Sequence, residues 1–129
     1  MKIIIDSNAL FVPLQFKIDI FEELKTLLNR NFEPILLSPV KKELEKLAME
    51  GSPKTRREAA YALKLTRKCT IIDLGEEFGD PDEAIVKVAS EWKCPVFTND
   101  SELRKKLRNI NVPVIYVRQK SRLEINGRS

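Results

Sequence analysis

The chain has 129 residues, 43% of them hydrophobic, which suits one globular domain spanning residues 1–129. It contains no histidine, which excludes Ser-His-Asp and Cys-His triads and any acid–base chemistry run through imidazole. Its apolar runs are far shorter than the roughly 20 residues of a membrane span, and the N-terminal run stops at Asp6, so neither a span nor a signal peptide is expected and the expected location is the cytoplasm.

Lys2-Ile3-Ile4-Ile5 is a β-branched run that suits a strand buried on both faces of a parallel sheet. It ends at Asp6-Ser7-Asn8, three small polar residues that are also common turn formers. A carboxylate is thereby placed at the carboxyl end of a central strand, the edge where open α/β sheets bind ligands. Residues 9–17, with Pro13 among them, read as irregular. Asp19 followed by Glu22 resembles a capping box, and Ile20, Phe21, Leu24, Leu27 and Leu28 follow at helical spacing to about Arg30. Pro34 to Leu37 is a second short buried strand. Ser38-Pro39 opens a helix, with serine at the cap and proline in the first turn. Its apolar face is Val40, Leu44, Leu47 and Ala48. At 100° per residue Glu43 falls on the border of that face, while Glu45 points nearly opposite, into solvent. A carboxylate beside a buried stripe needs a partner, either a Lys or Arg at the core edge or a bound cation.

Gly51-Ser52-Pro53 breaks and restarts the helix. The segment from Lys54 to Lys68 is helical with a basic flank that is either a solvated face or a phosphate contact. Cys69 and Cys94 have no C-x-x-C pairing and read as small buried side chains. Thr70 to Leu74 is a third strand, and residues 75–79 form an acidic, flexible loop. Asp80-Pro81-Asp82-Glu83 opens the next helix, with Asp80 at the cap, Pro81 in the first turn and Glu83 at the reciprocal position. Its apolar face is Ile85, Val88, Ala89 and Trp92. Asp82 shares that face, and a helix N-terminus stabilises it as an anion. Pro95 to Asp100 repeats the opening pattern, an apolar strand closed by small polar groups and an aspartate, although Asp100 also fits as a helix cap. Leu103 and Leu107 then lie on a short basic helix, Val112 to Val117 is the last strand, and residues 118–129 are a basic end where Leu123 and Ile125 add a little edge structure. Residues 101–129 hold eight basic and two acidic residues, a balance of +6, against −2 for the fifteen basic and seventeen acidic residues before them. Such asymmetry fits a polyanionic partner or a solvated basic tail. The candidate phosphate contacts are Arg104, Lys105, Arg108, Arg118, Lys120 and Arg122.

Alternating strands and helices argue for an α/β fold, a parallel sheet with helices on both faces. If the first strand is central, it and the fourth are neighbours at the point where strand order reverses, and Asp6 and Asp100 flank the crevice. Glu43 and Asp82 lean over the same edge. Four carboxylates in one crevice repel unless protonated or neutralised by a divalent cation. Oxygen donors with no His or Cys favour Mg²⁺ or Mn²⁺, which serve phosphodiester chemistry.

Over essentially its whole length the chain resembles the PIN-domain nucleases. The resemblance is carried by Ile3-Ile4-Ile5-Asp6-Ser7-Asn8, Glu43-Leu44, Asp82-Glu83-Ala84-Ile85 and Thr98-Asn99-Asp100. The ending Tyr116-Val117-Arg118-Gln119-Lys120 is similar to archaeal members related to toxin-type and ribosomal-RNA-processing proteins, without the cysteine-rich zinc insert of longer members. The resemblance implies a three-layer α/β/α sandwich with strand order 3-2-1-4-5. It implies an endoribonuclease that cleaves single-stranded RNA with Mg²⁺ or Mn²⁺. Asp6, Glu43, Asp82 and Asp100 are then the catalytic acids, Asp6, Asp82 and Asp100 the metal ligands, and Ser7, Asn8, Thr98 and Asn99 their hydrogen-bonding support. An antitoxin protein or a ribosome-assembly factor is the implied protein partner, and a homodimer the implied assembly. Two other readings compete: an RNA-binding scaffold without useful cleavage, and a phosphotransfer domain. A dehalogenase-type site needs an acid where Asn8 stands, and a receiver needs paired acids where Ser7 follows Asp6.

Overall fold

The computed structural model describes residues 1–76 and 78–127; Glu77 of the acidic loop and Arg128 and Ser129 of the basic end lie outside the described residues. Six strands form one sheet in the order β3-β2-β1-β4-β5-β6. β1 (Lys2–Ile5), β2 (Glu33–Leu37), β3 (Thr70–Ile72), β4 (Val96–Phe97) and β5 (Val114–Arg118) are parallel, and β6 (Arg122–Asn126) is antiparallel to β5. The helices are α1 (Val12–Phe16), α2 (Ile20–Leu28), α3 (Ser38–Glu50), α4 (Pro53–Leu65), α5 (Pro81–Trp92) and α6 (Ser101–Asn109). The architecture is the expected three-layer α/β/α sandwich, with the expected strand order extended by one strand.

Burial follows topology. Ile3, Ile4, Ile5, Ile35, Leu36, Leu37, Val96, Phe97, Val114 and Ile115 are fully buried, because the strands that carry them have neighbours on both sides and helices on both faces. At roughly 1.5–3 kcal/mol for each large side chain, this quartet of strands dominates the core. β3 lies at the sheet's edge and keeps Thr70 and Ile71 exposed.

Several local expectations change once tertiary contacts act. The stretch read as irregular is ordered, as a 3₁₀ turn over Ser7–Phe11 running into α1. Ala9, Leu10 and Val12 are fully buried there, and Pro13 sits in the first turn of α1, where no N–H is needed. Ser38 does not cap α3. Its hydroxyl accepts the Leu74 N–H at 2.9 Å, which pins the loop after β3, and Leu37 occupies the cap. Asp19 and Asp80 do cap α2 and α5, but among the described residues neither Glu22 nor Glu83 bonds back. Trp92 ends α5 still 40% exposed, with the Lys2 ammonium 5.5 Å from its ring. Both cysteines are free. Cys94 is buried, whereas Cys69 is half-buried and its thiol is pushed up to about 11 by loss of solvent.

The edge structure expected near Leu123 is a full strand. Gln119 and Lys120 both adopt left-handed backbone (φ 54° and 57°), and the Ser121 N–H reaches the Arg118 carbonyl at 3.2 Å. These two left-handed residues lie in the three-residue loop between paired Arg118 and Arg122, a loop that usually signals itself with Gly or Asn. Gln-Lys carries no such signal, so the hairpin was not legible in the sequence.

Candidate active site

The site is assembled at the carboxyl edge of β1 and β4. The Asp6 N–H donates to the Phe97 carbonyl at 3.0 Å, which locks the two strand ends together. Asp6 is only 3% exposed, yet its carboxylate is well served. It accepts from the Ser7 N–H at 2.8 Å, the Thr98 hydroxyl at 2.7 Å and the Asn8 amide at 3.1 Å. Thr98 is fully buried. Its single hydroxyl proton goes to Asp6 rather than to Asn8 Oδ1, 3.4 Å away, and its oxygen accepts the Asp100 N–H at 3.1 Å.

Two amides brace the rest. Asn8 Oδ1 accepts the Asn99 N–H at 2.9 Å, which fixes the amide so that its nitrogen faces Asp6. Asn99 Oδ1 accepts the Val117 N–H at 2.8 Å and ties the loop after β4 to β5. Ser7 Oγ donates to Glu43 Oε1 at 2.6 Å, which joins the end of β1 to α3. Ser7, Asn8 and Thr98 thus hydrogen-bond directly to acidic side chains, whereas Asn99 bonds to Asn8 and Val117. Glu43 finds its partner in a hydroxyl rather than in a Lys or Arg, while Glu45 is exposed as its helical angle requires.

Asp100 also serves as the cap of α6, with Oδ1 accepting from the Glu102 and Leu103 N–H groups at 2.9 and 3.4 Å. The cap reading of this residue is thus realised, and its charge also adds to the rise of Asp82. Asp82 lies half-buried in the first turn of α5, beside its cap Asp80.

The acids sense one another. Burial pushes the Asp6 carboxyl up from 3.8 to about 6; the Thr98 and Ser7 hydrogen bonds oppose the shift, and the charges of Asp82 and Glu43 add to it. Asp82 is also raised, first by burial and then by Asp100 and Asp80; Lys106 opposes, and Glu43 adds a smaller push. This mutual repulsion links Asp6, Glu43, Asp82 and Asp100. Among the described residues, however, no three acidic or cysteine side chains converge closely enough to hold an ion. The side chains nonetheless fit a hard divalent cation in chemistry: every donor is oxygen, and negative charge is in excess. Asp6, Asp82 and Asp100 are the residues that would hold it.

The basic residues are dispersed. Lys105, Arg108 and Lys120 are exposed. Arg118 and Arg122 both lie on Glu124, at 3.3 and 3.2 Å. Arg104 stacks on Tyr116, its guanidinium carbon 4.0 Å from the ring centroid. Lys106, which was not among the candidates, lines one cleft with Asp82 and opposes its shift. The helical wheel holds the missing signal. Lys106 lies about 60° from Leu103 and about 100° from Leu107, on one border of the buried stripe, and Arg104 lies on the other, whereas Lys105 points straight out. Also unforeseen is a cleft of about 550 Å³ beside Glu43, walled by Lys42, Lys46, Phe78 and Pro81.

A doubly wound α/β/α domain with clustered acids at the carboxyl edge of its central strands is the plan of a PIN-type domain. The chain belongs to that family: the family model described as a PIN-like domain matches residues 3–120. Ribonuclease VapC4 of Methanocaldococcus jannaschii is 38% identical, with 98% of this chain and 97% of that protein covered. Ribonuclease VapC9 of Archaeoglobus fulgidus is 31% identical over 93% of this chain and 85% of that protein. The rRNA-processing protein fcf1 of Schizosaccharomyces pombe is 34% identical, but this chain covers only 58% of it. Among solved structures, that of the PIN domain endonuclease Utp24 superposes with a TM-score of 0.83 at 29% identity, covering 98% of this chain and 92% of that one. No helix among the described residues is long and apolar enough to cross a membrane.

Proposed function

We propose that the chain is an endoribonuclease that cleaves single-stranded RNA with Mg²⁺ or Mn²⁺ at Asp6, Glu43, Asp82 and Asp100. The observation that carries the reading is the buried Asp6 carboxylate, held by Ser7, Asn8 and Thr98 although its ionisation is disfavoured by burial and by neighbouring acids. A fold retains such an unfavourable anion where a cation is to be held. The relatives named as ribonucleases and the Utp24 endonuclease support the same reading.

A divalent ion at this site would polarise a phosphate oxygen and lower the pKa of water bound to it. The chain's own residues supply the rest. Thr98 and Asn8 hold the Asp6 carboxylate to one orientation. Ser7 holds Glu43 by a hydrogen bond, and the Glu43 carboxylate would take a proton from attacking water. Asp100 is fixed by its role as cap, and Lys106 supplies positive charge beside Asp82 for the RNA phosphate. An antitoxin protein or a ribosome-assembly factor as partner belongs to the same proposal, since relatives of both kinds match over most of this chain, and a homodimeric assembly belongs to it as what the family resemblance implies.

The test is cleavage of an end-labelled single-stranded RNA by purified protein across a Mn²⁺ titration. Asp6→Asn is expected to abolish the metal-dependent products, and Glu45→Gln to leave them unchanged. Equal losses in both variants, or cleavage by the parent in EDTA at the same rate, would refute the assignment.

A further inference from the structure

We infer that the Arg104–Tyr116 stack is a platform for one nucleobase of the RNA, next to the acidic centre; this deepens the function proposed above and rests on it. Arg104 lies one helical turn beyond Asp100, whose carbonyl accepts its N–H at 2.9 Å. Side chains on a helix lean toward its N-terminus, so the guanidinium is carried back toward the acid-bearing edge. Tyr116 meets it from β5, whose next residue, Val117, is bonded to Asn99 of the acid-bearing loop. The platform and the carboxylates are therefore built on one braced unit.

Two features separate this pair from an ordinary structural contact. Lys2 on Trp92 and Lys68 on Phe21 are also cations over rings, but each presents a compact ammonium at more than 5 Å, and neither contact includes a residue of the acidic edge. Arg104 sets a planar cation on a planar ring at 4.0 Å. Among the described residues it has no carboxylate partner, although Arg118 and Arg122 nearby share Glu124. Glu124 stands directly opposite Tyr116 in the β5–β6 register, and it accepts a long 3.5 Å bond from the Tyr116 hydroxyl. Arg118, which also meets the Tyr116 side chain, and Arg122 thus hold the hairpin, while Arg104 remains half-exposed over the same ring. A half-exposed guanidinium over a tyrosine ring fits a planar, anionic ligand: a base stacked on the pair and its phosphate at the N–H edge.

The test uses the metal-free protein in EDTA, so that RNA stays intact, and short single-stranded RNAs with 2-aminopurine at one position at a time. Binding to the parent is expected to quench fluorescence strongly at one position. Arg104→Lys keeps the charge and loses the plane. It should abolish that quenching and weaken affinity roughly tenfold, the scale of one base stack, while the dependence on log salt stays the same. Tyr116→Phe keeps the ring and should retain both quenching and affinity. In Mn²⁺, Arg104→Lys should raise KM with kcat within about twofold. Binding by the parent without position-specific quenching, or quenching unchanged in Arg104→Lys, overturns the platform alone. A parent that binds none of the RNAs overturns the RNA reading and the platform with it.

Discussion

Replacing Asp6 by asparagine should stabilise the metal-free protein at neutral pH, in the same variant that is expected to abolish cleavage. Asp6 has a folded-state pKa of about 6 against an ordinary 3.8. A raised carboxyl contributes its stability in full below the unfolded pKa and loses it as pH rises through the folded one. At 1.36 kcal/mol per unit the full effect of this one group is about 3 kcal/mol, of which the parent should lose roughly 2.4 kcal/mol between pH 4 and pH 7. Asparagine does not titrate. It can still accept the Ser7 N–H, but its amide nitrogen now faces the donors Thr98 and Asn8, a loss of about 1 kcal/mol per bond. Asp6→Asn should therefore be less stable than the parent by about 1–2 kcal/mol at pH 4, and more stable by about 1–2 kcal/mol at pH 7. Urea unfolding of both proteins in EDTA from pH 4 to pH 8 gives the difference directly, because the other titrating groups largely cancel. Several millimolar Mg²⁺ at pH 7 should raise the parent's stability and leave the variant nearly unmoved. A difference that stays flat across the pH range would refute the idea that Asp6 is held as a costly anion, and a parent indifferent to Mg²⁺ would remove the metal site.

Thr98→Val removes the hydrogen bond that most opposes the Asp6 shift, so the carboxyl midpoint seen by ¹³C NMR in EDTA should move further up, and Thr98→Ser should restore it. Asp100→Ala should lower the melting temperature through loss of the α6 cap, worth about 1 kcal/mol, whereas Asp100→Asn caps equally well and should melt near the parent; cleavage should fail in both, and survival of activity in Asp100→Asn would leave it a cap only. RNA affinity should fall linearly with log salt, and replacing Arg104, Lys105 and Arg108 together by glutamine should reduce the slope by about 0.7 for each phosphate that is no longer neutralised. The same change at Arg118 and Arg122 should do less, because Glu124 already offsets part of their charge; equal changes in slope would refute that distinction.

Strand and helix periodicity, caps and turn residues are local properties, and from them the sequence by itself determined the α/β alternation, the carboxylate at the end of each of two strands and the half-buried Glu43. The family motif added strand order. Tertiary structure decided the partners. Whether Glu43 meets a lysine, a metal ion or a hydroxyl depends on which strand end faces α3, and the answer is Ser7, thirty-six positions away in the chain. Ser38 left its cap because the loop after β3 brought it the Leu74 N–H. The basic end looked uniform because charge along a chain carries no direction; folding paired Arg118 and Arg122 with Glu124, stacked Arg104 on Tyr116 and set Lys106 in one cleft with Asp82. The hairpin that made those pairings depends on two left-handed residues, Gln119 and Lys120, that strand pairing imposes and that neither residue prefers by itself.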